Sequence, residues 1–185
     1  MKVLGISGSL RRDSHNTKLL RAAAALLPPG AELELWEGLK AVPPYDADDD
    51  SGEPRPWALS SLAGAIAEAD VVLISTPEYN HSIPGQLKNA LDWLSRPLAT
   101  SPLRGKPVAV VGASTGLFGA VWAQAELRKV LGAIGARVID RELPVGLADD
   151  AFTTEGRLAD QDLELVLADL LAELLDEVRA APVPA

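Results

Sequence analysis

Three short runs in this chain are apolar with no polar alternation: Val3-Leu4-Gly5-Ile6, Val71-Val72-Leu73-Ile74-Ser75 and Val108-Ala109-Val110-Val111-Gly112. A strand with one face in water alternates, whereas a strand covered on both faces does not. Glu32–Trp36 and Arg137–Leu143 are strand-like but more polar, which places them at the edges of a sheet. Between these runs the spacing changes to that of helices. Asn16–Leu27 carries Leu19, Leu20, Ala23, Leu26 and Leu27 on one side and stops at Pro28-Pro29-Gly30. Leu59–Ala69, Ile83–Leu94 and Trp122–Leu131 follow the same period, and Asp160–Ala181 forms a long closing helix. Strands alternating with helices predict an α/β fold. Its doubly wound, five-stranded parallel sheet carries helices on both faces and right-handed crossovers. With 185 residues, 48% of them hydrophobic, and no repeat or linker, the chain reads as one domain over 1–185.

Placing the most apolar strands in the centre gives the flavodoxin-like strand order 2-1-3-4-5, with a ligand crevice at the carboxyl ends of the first and third strands. Three loops line that crevice. The first is Ser7-Gly8-Ser9-Leu10-Arg11-Arg12-Asp13-Ser14-His15-Asn16, a hydroxyl-rich turn into a helix. A helix start offers unpaired N–H groups and the positive end of its dipole, so the combination reads as a phosphate site. The plainer reading is that Ser, Asp and Asn here are ordinary helix caps. No Gly-Lys-Ser/Thr follows Gly8, and the third glycine of G-x-G-x-x-G is missing, which argues against an NTPase and a standard dinucleotide fingerprint. The second loop, Thr76–Gly85, is stiffened by Pro77 and Pro84 and offers the flat ring of Tyr79. The third, Gly112–Gly119, is rich in small residues that let backbone approach a ligand. Together they suit a planar ring with a phosphorylated tail; FMN fits, and so does a nucleotide.

A net charge of −9 argues against nucleic acid, and leaves Arg11 and Arg12 as local positive charge. With no cysteine and two histidines, disulfides, thiol chemistry, iron–sulfur ligation and a His-based metal site are not expected. No apolar run approaches a membrane span, and the first residues read as a strand rather than a leader, so the expectation is a cytoplasmic protein without membrane partners.

In Gly8–Asn16, Thr76–Asn80 and Pro84–Trp93 the chain resembles the NADPH-dependent FMN reductases, a family that includes quinone and chromate reductases and azoreductases. The loop Ser114–Gly119, followed by Leu127-Arg128 and Leu131-Gly132, resembles the family's third segment, so the similarity spans roughly residues 1–140. The resemblance implies that Ser9, Arg11, Ser14 and Asn16 hold the phosphate of FMN. It places Pro77, Glu78, Tyr79 and Asn80 along the isoalloxazine, largely through backbone groups, with Ser114 and Gly116 at its other edge. It further implies NADPH or NADH as electron donor, a small-molecule acceptor (quinone, azo compound, metal oxyanion or free flavin) and a homodimer or homotetramer. The flavin supplies the redox chemistry, so no acid–base side chain is nominated. The segment Leu117–Trp122 departs from the family's glycine pair followed by arginine, and His81 stands where small or polar residues are common.

Two other functional classes are weighed beside this one: a flavodoxin-type electron carrier without its own NAD(P)H turnover, and a sensor or interaction module for another phosphorylated ligand. Remaining features read plainly. His15 is a solvated neighbour of the cap, and Val42–Trp57, with its run of Asp residues, is a surface loop. Trp36 and Trp57 pack, Trp93 and Trp122 belong to the core or an interface, and residues 181–185 fray.

Overall fold

The computed structural model describes residues 1–50 and 55–180. Its sheet runs β2-β1-β3-β4-β5, all parallel, from β1 (Lys2–Ser7), β2 (Glu32–Trp36), β3 (Val71–Thr76), β4 (Pro107–Ala113) and β5 (Arg137–Val138). Helices α1 (His15–Ala25), α2 (Ala47–Asp50), α3 (Trp57–Glu68), α4 (Gly85–Leu94), α5 (Val121–Ile134) and α6 (Gln161–Ala180) connect and cover it. Among the described residues no helix is long and apolar enough to cross a membrane.

The unbroken apolar runs are explained by two cores. Successive side chains point to opposite faces, so Leu4, Ile6, Val72, Ile74, Val108 and Val110 pack under α3, α4 and α5. Val3, Val71, Leu73, Ala109 and Val111 pack on the other face against Leu19, Leu20 and Ala23 of α1 and Leu167, Leu170, Leu171 and Leu174 of α6. Every residue of β3 and β4 is buried.

The expected strand 137–143 is interrupted. After Arg137–Val138 the chain leaves the sheet and returns as β6 (Pro144–Val145), which pairs with the same strand, β4, at Gly112 and Ala113. The excursion is Asp140-Arg141-Glu142, all exposed. Both faces of the sheet are covered, so three charges in register would be buried without water, a cost several hydrogen bonds do not offset. Outside the sheet they find partners: Glu142 with Arg128 at 3.1 Å and Arg141 with Glu173 at 2.9 Å. Where the chain re-enters, the fully buried Gln124 of α5 takes over as a ladder partner. Its Oε1 accepts from Leu143 N at 3.0 Å, and its Nε2 donates to Leu143 O at 3.2 Å and Gly119 O at 3.0 Å.

Trp93 lies in the core at 1% exposure, its indole donating to Pro43 O at 2.9 Å. With Gln86 and Asn89 it ties the 39–45 segment to α4. Trp57, expected to pack, is instead exposed at the first turn of α3. The acidic run expected as a plain loop makes one helical turn, α2, and Asp50 pairs with Arg55. The rest of that loop, 51–54, and the expected fraying of 181–185 lie outside the described residues.

Replacing Gln124 by leucine keeps the volume but strands two buried backbone groups, Leu143 N and Gly119 O, while Leu143 O keeps Gly112 N. The expected cost is at least about 2 kcal/mol, measured as a shift in the urea unfolding midpoint.

Candidate functional site

The carboxyl ends of β1, β3 and β4 carry three loops, and each is held by backbone rather than by chance contact. Gly8 extends β1 by one ladder step, its N–H donating to Ser75 O at 2.8 Å. A Cβ at Gly8 would come within 3.0 Å of Leu87 Cδ2 and 3.3 Å of Pro77 Cδ, so any side chain here would press Leu87 and Pro77 aside by a few tenths of an ångström. Beyond it Ser9 N donates to Ser7 Oγ and Arg11 N to Ser9 Oγ. The N–H groups of Leu10 and Arg12 have no acceptor among the described residues. Ser14 caps α1, its Oγ accepting from Asn16 N at 3.1 Å and Thr17 N at 3.4 Å.

Asn16 lies behind this loop. Its Oδ1 accepts from Ser75 Oγ at 2.8 Å and Ala113 N at 3.1 Å, and its Nδ2 donates to Ala113 O at 2.9 Å. This side chain, expected on a phosphate, holds the ends of two strands, β3 and β4, together and keeps one amide N–H unused among the described residues.

The second loop turns tightly at Tyr79-Asn80-His81-Ser82. Tyr79 and Ser82 exchange both backbone hydrogen bonds, and Asn80 and His81 sit at φ 53° and 61°. Two left-handed residues in succession make a type I′ turn, which asparagine tolerates better than most residues. It leaves the Tyr79 ring 51% exposed, beside a cleft of about 290 Å³ reaching Gly8, Leu10, Arg11 and Gln86. Pro77 is buried beneath. The carboxylate of Glu78 turns away from the cleft to α5, where Oε2 accepts from Trp122 N and Ala123 N, both at 3.1 Å. The residue preceding α5, Ala120, is left-handed at φ 61° and offers no capping side chain, so Glu78 supplies the cap from another loop.

The third loop rests on the returning strand. Ser114 N donates to Val145 O, Leu147 N to Gly116 O and Ala148 N to Ser114 O, at 3.0 to 3.1 Å. A Cβ on Gly119 would lie 2.3 Å from Pro144 C, and one on Gly146 2.3 Å from Leu117 O. Backbone therefore packs on backbone. Gly116 itself is open, with only Ser114 Oγ (3.6 Å) near its absent Cβ. On the rim, His81 meets Trp122 edge-on at 4.8 Å between ring centroids, and Phe118 meets Trp122 at 5.1 Å.

Charge is arranged around the first loop. Lys18 pairs with Asp13 at 3.1 Å and holds that carboxyl below its usual range. Arg11, Arg12, Arg21 and Lys40 form no salt bridge among the described residues. His15, expected in solvent, is half-buried: its Nε2 lies 3.1 Å from Asp149 Oδ1, and its ring stacks on Phe152. The structure thus gathers Ser9, Arg11 and Ser14 on one loop, with Tyr79, Asn80, Ser114 and Gly116 on the two beside it. Sequence reasoning missed Gln124 and the capping role of Glu78. Both act across loops, and only an unsatisfied helix start and a broken strand, neither visible in sequence, call for them.

An anion fits this arrangement: free N–H donors, hydroxyls and unpaired guanidinium groups converge at a helix N-terminus. Residues 1–150 match the family model for NADPH-dependent FMN reductase. Over 174 residues, 93% of this chain and 92% of the relative, the sequence is 42% identical to an NAD(P)H-dependent FMN reductase of Pseudomonas aeruginosa. It is 40% identical to an Escherichia coli quinone reductase over 141 residues, 76% of this chain and 74% of that protein. Among solved structures, FerB, a flavoenzyme NAD(P)H:(acceptor) oxidoreductase from Paracoccus denitrificans, superposes with a TM-score of 0.82 at 32% identity. That match covers 96% of this chain and 97% of FerB.

Removing the cap at Glu78 by alanine is expected to destabilise the protein by about 1 kcal/mol, with glutamine recovering part of the loss. Thermal unfolding of the two variants side by side measures the difference.

Proposed function

This chain belongs to the NADPH-dependent FMN reductase family, and from that membership we propose that it is an FMN-dependent NAD(P)H oxidoreductase acting on quinones and related acceptors. The observation that carries the reading is the first loop: unsatisfied N–H donors of Leu10 and Arg12 beside Ser9, Ser14 and an unpaired Arg11 at the start of α1. Ser9, Arg11 and Ser14 hold the phosphate. Asn16 acts mainly as a positioning residue, fixing the loop against β3 and β4.

Bound FMN would supply the redox chemistry, hydride transfer from a reduced nicotinamide and electron transfer to an acceptor. The chain's part is to bind, orient and shield. Tyr79 and Asn80 border the ring through the rigid turn and its backbone, Pro77 closes the floor beneath them, and the Glu78 carboxylate keeps that loop docked on α5. Ser114 and Gly116 approach the far edge, where the absence of a side chain at Gly116 admits a flat ligand. Phe118, Trp122 and His81 form an aromatic rim at which a planar acceptor can stack.

Quinones are the acceptor class favoured, since relatives named quinone reductase lie at 40% identity in Escherichia coli, and a Burkholderia relative at 36% identity is named for reducing 2-hydroxy-1,4-benzoquinone. The exposed side chains of Leu117, Phe118 and Trp122 support assembly into a homodimer or homotetramer. The protein acts as a single domain in the cytoplasm.

The primary test is an absorption spectrum of the purified protein with FMN, followed by anaerobic NADPH and then a quinone. A bound flavin band that bleaches with nucleotide and returns with quinone is the expected result. Bound flavin that neither NADPH nor NADH bleaches would instead identify an electron carrier. Combining Ser9→Ala with Arg11→Ala is expected to weaken FMN binding at least about tenfold, and unchanged affinity in a flavin fluorescence titration would remove the phosphate site from this loop.

A further inference from the structure

On the side of the first loop facing β2 lies a second cleft of about 290 Å³, which meets the one beside Tyr79 at Leu10 and Arg11 and is bordered by Ser7 and Ser9. Four cations line it: Arg11 and Arg12 from the loop, Arg21 from α1, and Lys40 from the turn after β2. Glu37 is its one acidic lining residue. These four form no salt bridge among the described residues. Several basic residues elsewhere are paired, among them Lys2 with Glu34, Lys88 with Asp92, Arg128 with Glu142, Arg137 with Glu177 and Arg141 with Glu173. Arg96, Arg104, Lys106 and Lys129 form no salt bridge among the described residues either, but of these only Arg96 lines a comparable cleft.

In a chain of net charge −9, four unpaired cations around one cleft are like charges held together against their repulsion. A multivalent anion relieves that repulsion. The cleft also has a flat wall. Trp36 is half-buried, its Nε1 donates to Ser61 Oγ at 3.1 Å, and Gly38 packs so closely on the indole that a Cβ there would lie 2.3 Å from Cζ2. Thr17, one turn before Arg21 on α1, adds a hydroxyl.

We infer that this cleft receives the 2′-phosphate of NADPH and sets a preference for NADPH over NADH. The inference rests on the NAD(P)H oxidoreductase reading above and goes beyond it. The FMN phosphate is accounted for by Ser9, Arg11, Ser14 and the loop N–H groups, which leaves Arg12, Arg21 and Lys40 without a ligand. NADH and NADPH share their pyrophosphate and differ only in a phosphomonoester, which carries close to two negative charges near neutral pH. Guanidinium groups bind such a dianion bidentately, with charge-assisted hydrogen bonds. Cations concentrated here therefore act on the difference between the two donors.

The test is the holoenzyme carrying Arg21→Gln and Lys40→Gln together, neither of which is among the residues assigned to FMN. The KM for NADPH is expected to rise at least about tenfold, with the KM for NADH and the affinity for FMN unchanged. By calorimetry, wild-type holoenzyme is expected to bind 2′,5′-ADP more tightly than 5′-ADP or inorganic phosphate. That advantage should shrink in the double variant and at high salt. Equal effects on NADPH and NADH, no effect on either, or equal binding of 2′,5′-ADP and 5′-ADP would each overturn the inference. Arg12→Gln alone, expected to act in the same direction, serves as the second variant. A wild-type protein that binds 2′,5′-ADP selectively yet oxidises neither nucleotide would overturn the activity and leave the cleft standing.

Discussion

A parallel sheet fans out as it twists, so a site built on the ends of three strands needs those ends tied to one another. The amide of Asn16 ties two of them, β3 and β4, to the helix that follows the third, β1. One side chain, buried at the first turn of α1, accepts from a hydroxyl on β3 and from the backbone of β4 and donates to the same residue of β4. Because Ser14 caps the same turn, the first loop, the helix that follows it and two neighbouring strands share one geometry. A buried network of this kind, with its members satisfied, specifies one arrangement more sharply than apolar packing does. Gln124 repeats the device on the far side of β4, binding α5 to Gly119 and Leu143.

Between these two amides the crevice is shaped mostly by backbone. The tight turn at Tyr79–Ser82, the close seating of Gly119 on Pro144 and of Gly146 on Leu117, and the capping of α5 by Glu78 leave little freedom to the loop ends. The side chains that project from this frame, Arg11, Tyr79, Phe118 and Trp122, are exposed and face whatever enters. Rigidity and recognition are thus assigned to different atoms of the same loops.

Strand and helix types, their order and the sheet topology were legible because burial on two faces leaves a plain mark: a run such as Val71–Ile74 has no polar residue to place anywhere. The first loop was legible as a hydroxyl- and arginine-rich turn into a capped helix, since the Ser14 cap is written in the residue's identity. What escaped depends on partners distant in sequence. Nothing near Asp140 states that both faces of the sheet are closed at that edge, so the break in the last strand is invisible until α5 and α6 are in place. Glu78 looks like a ring neighbour beside Tyr79; only the left-handed Ala120, about forty residues later, makes it a cap. Trp57 shows the limit from the other side, because an aromatic residue at the start of an amphipathic helix carries no label of which way its first turn faces.

The broken strand has a consequence for how such a protein can change over time. Because the 143–148 segment braces the third loop through main-chain atoms, the identities of Thr115, Leu117 and Phe118 are nearly irrelevant to folding. Mutations there are sampled at little cost in stability, while the frame that holds the reactive geometry stays fixed. On the function proposed above, breadth of acceptor use is then a trait that drifts on its own, uncoupled from the fold, through substitution at a few outward-facing positions.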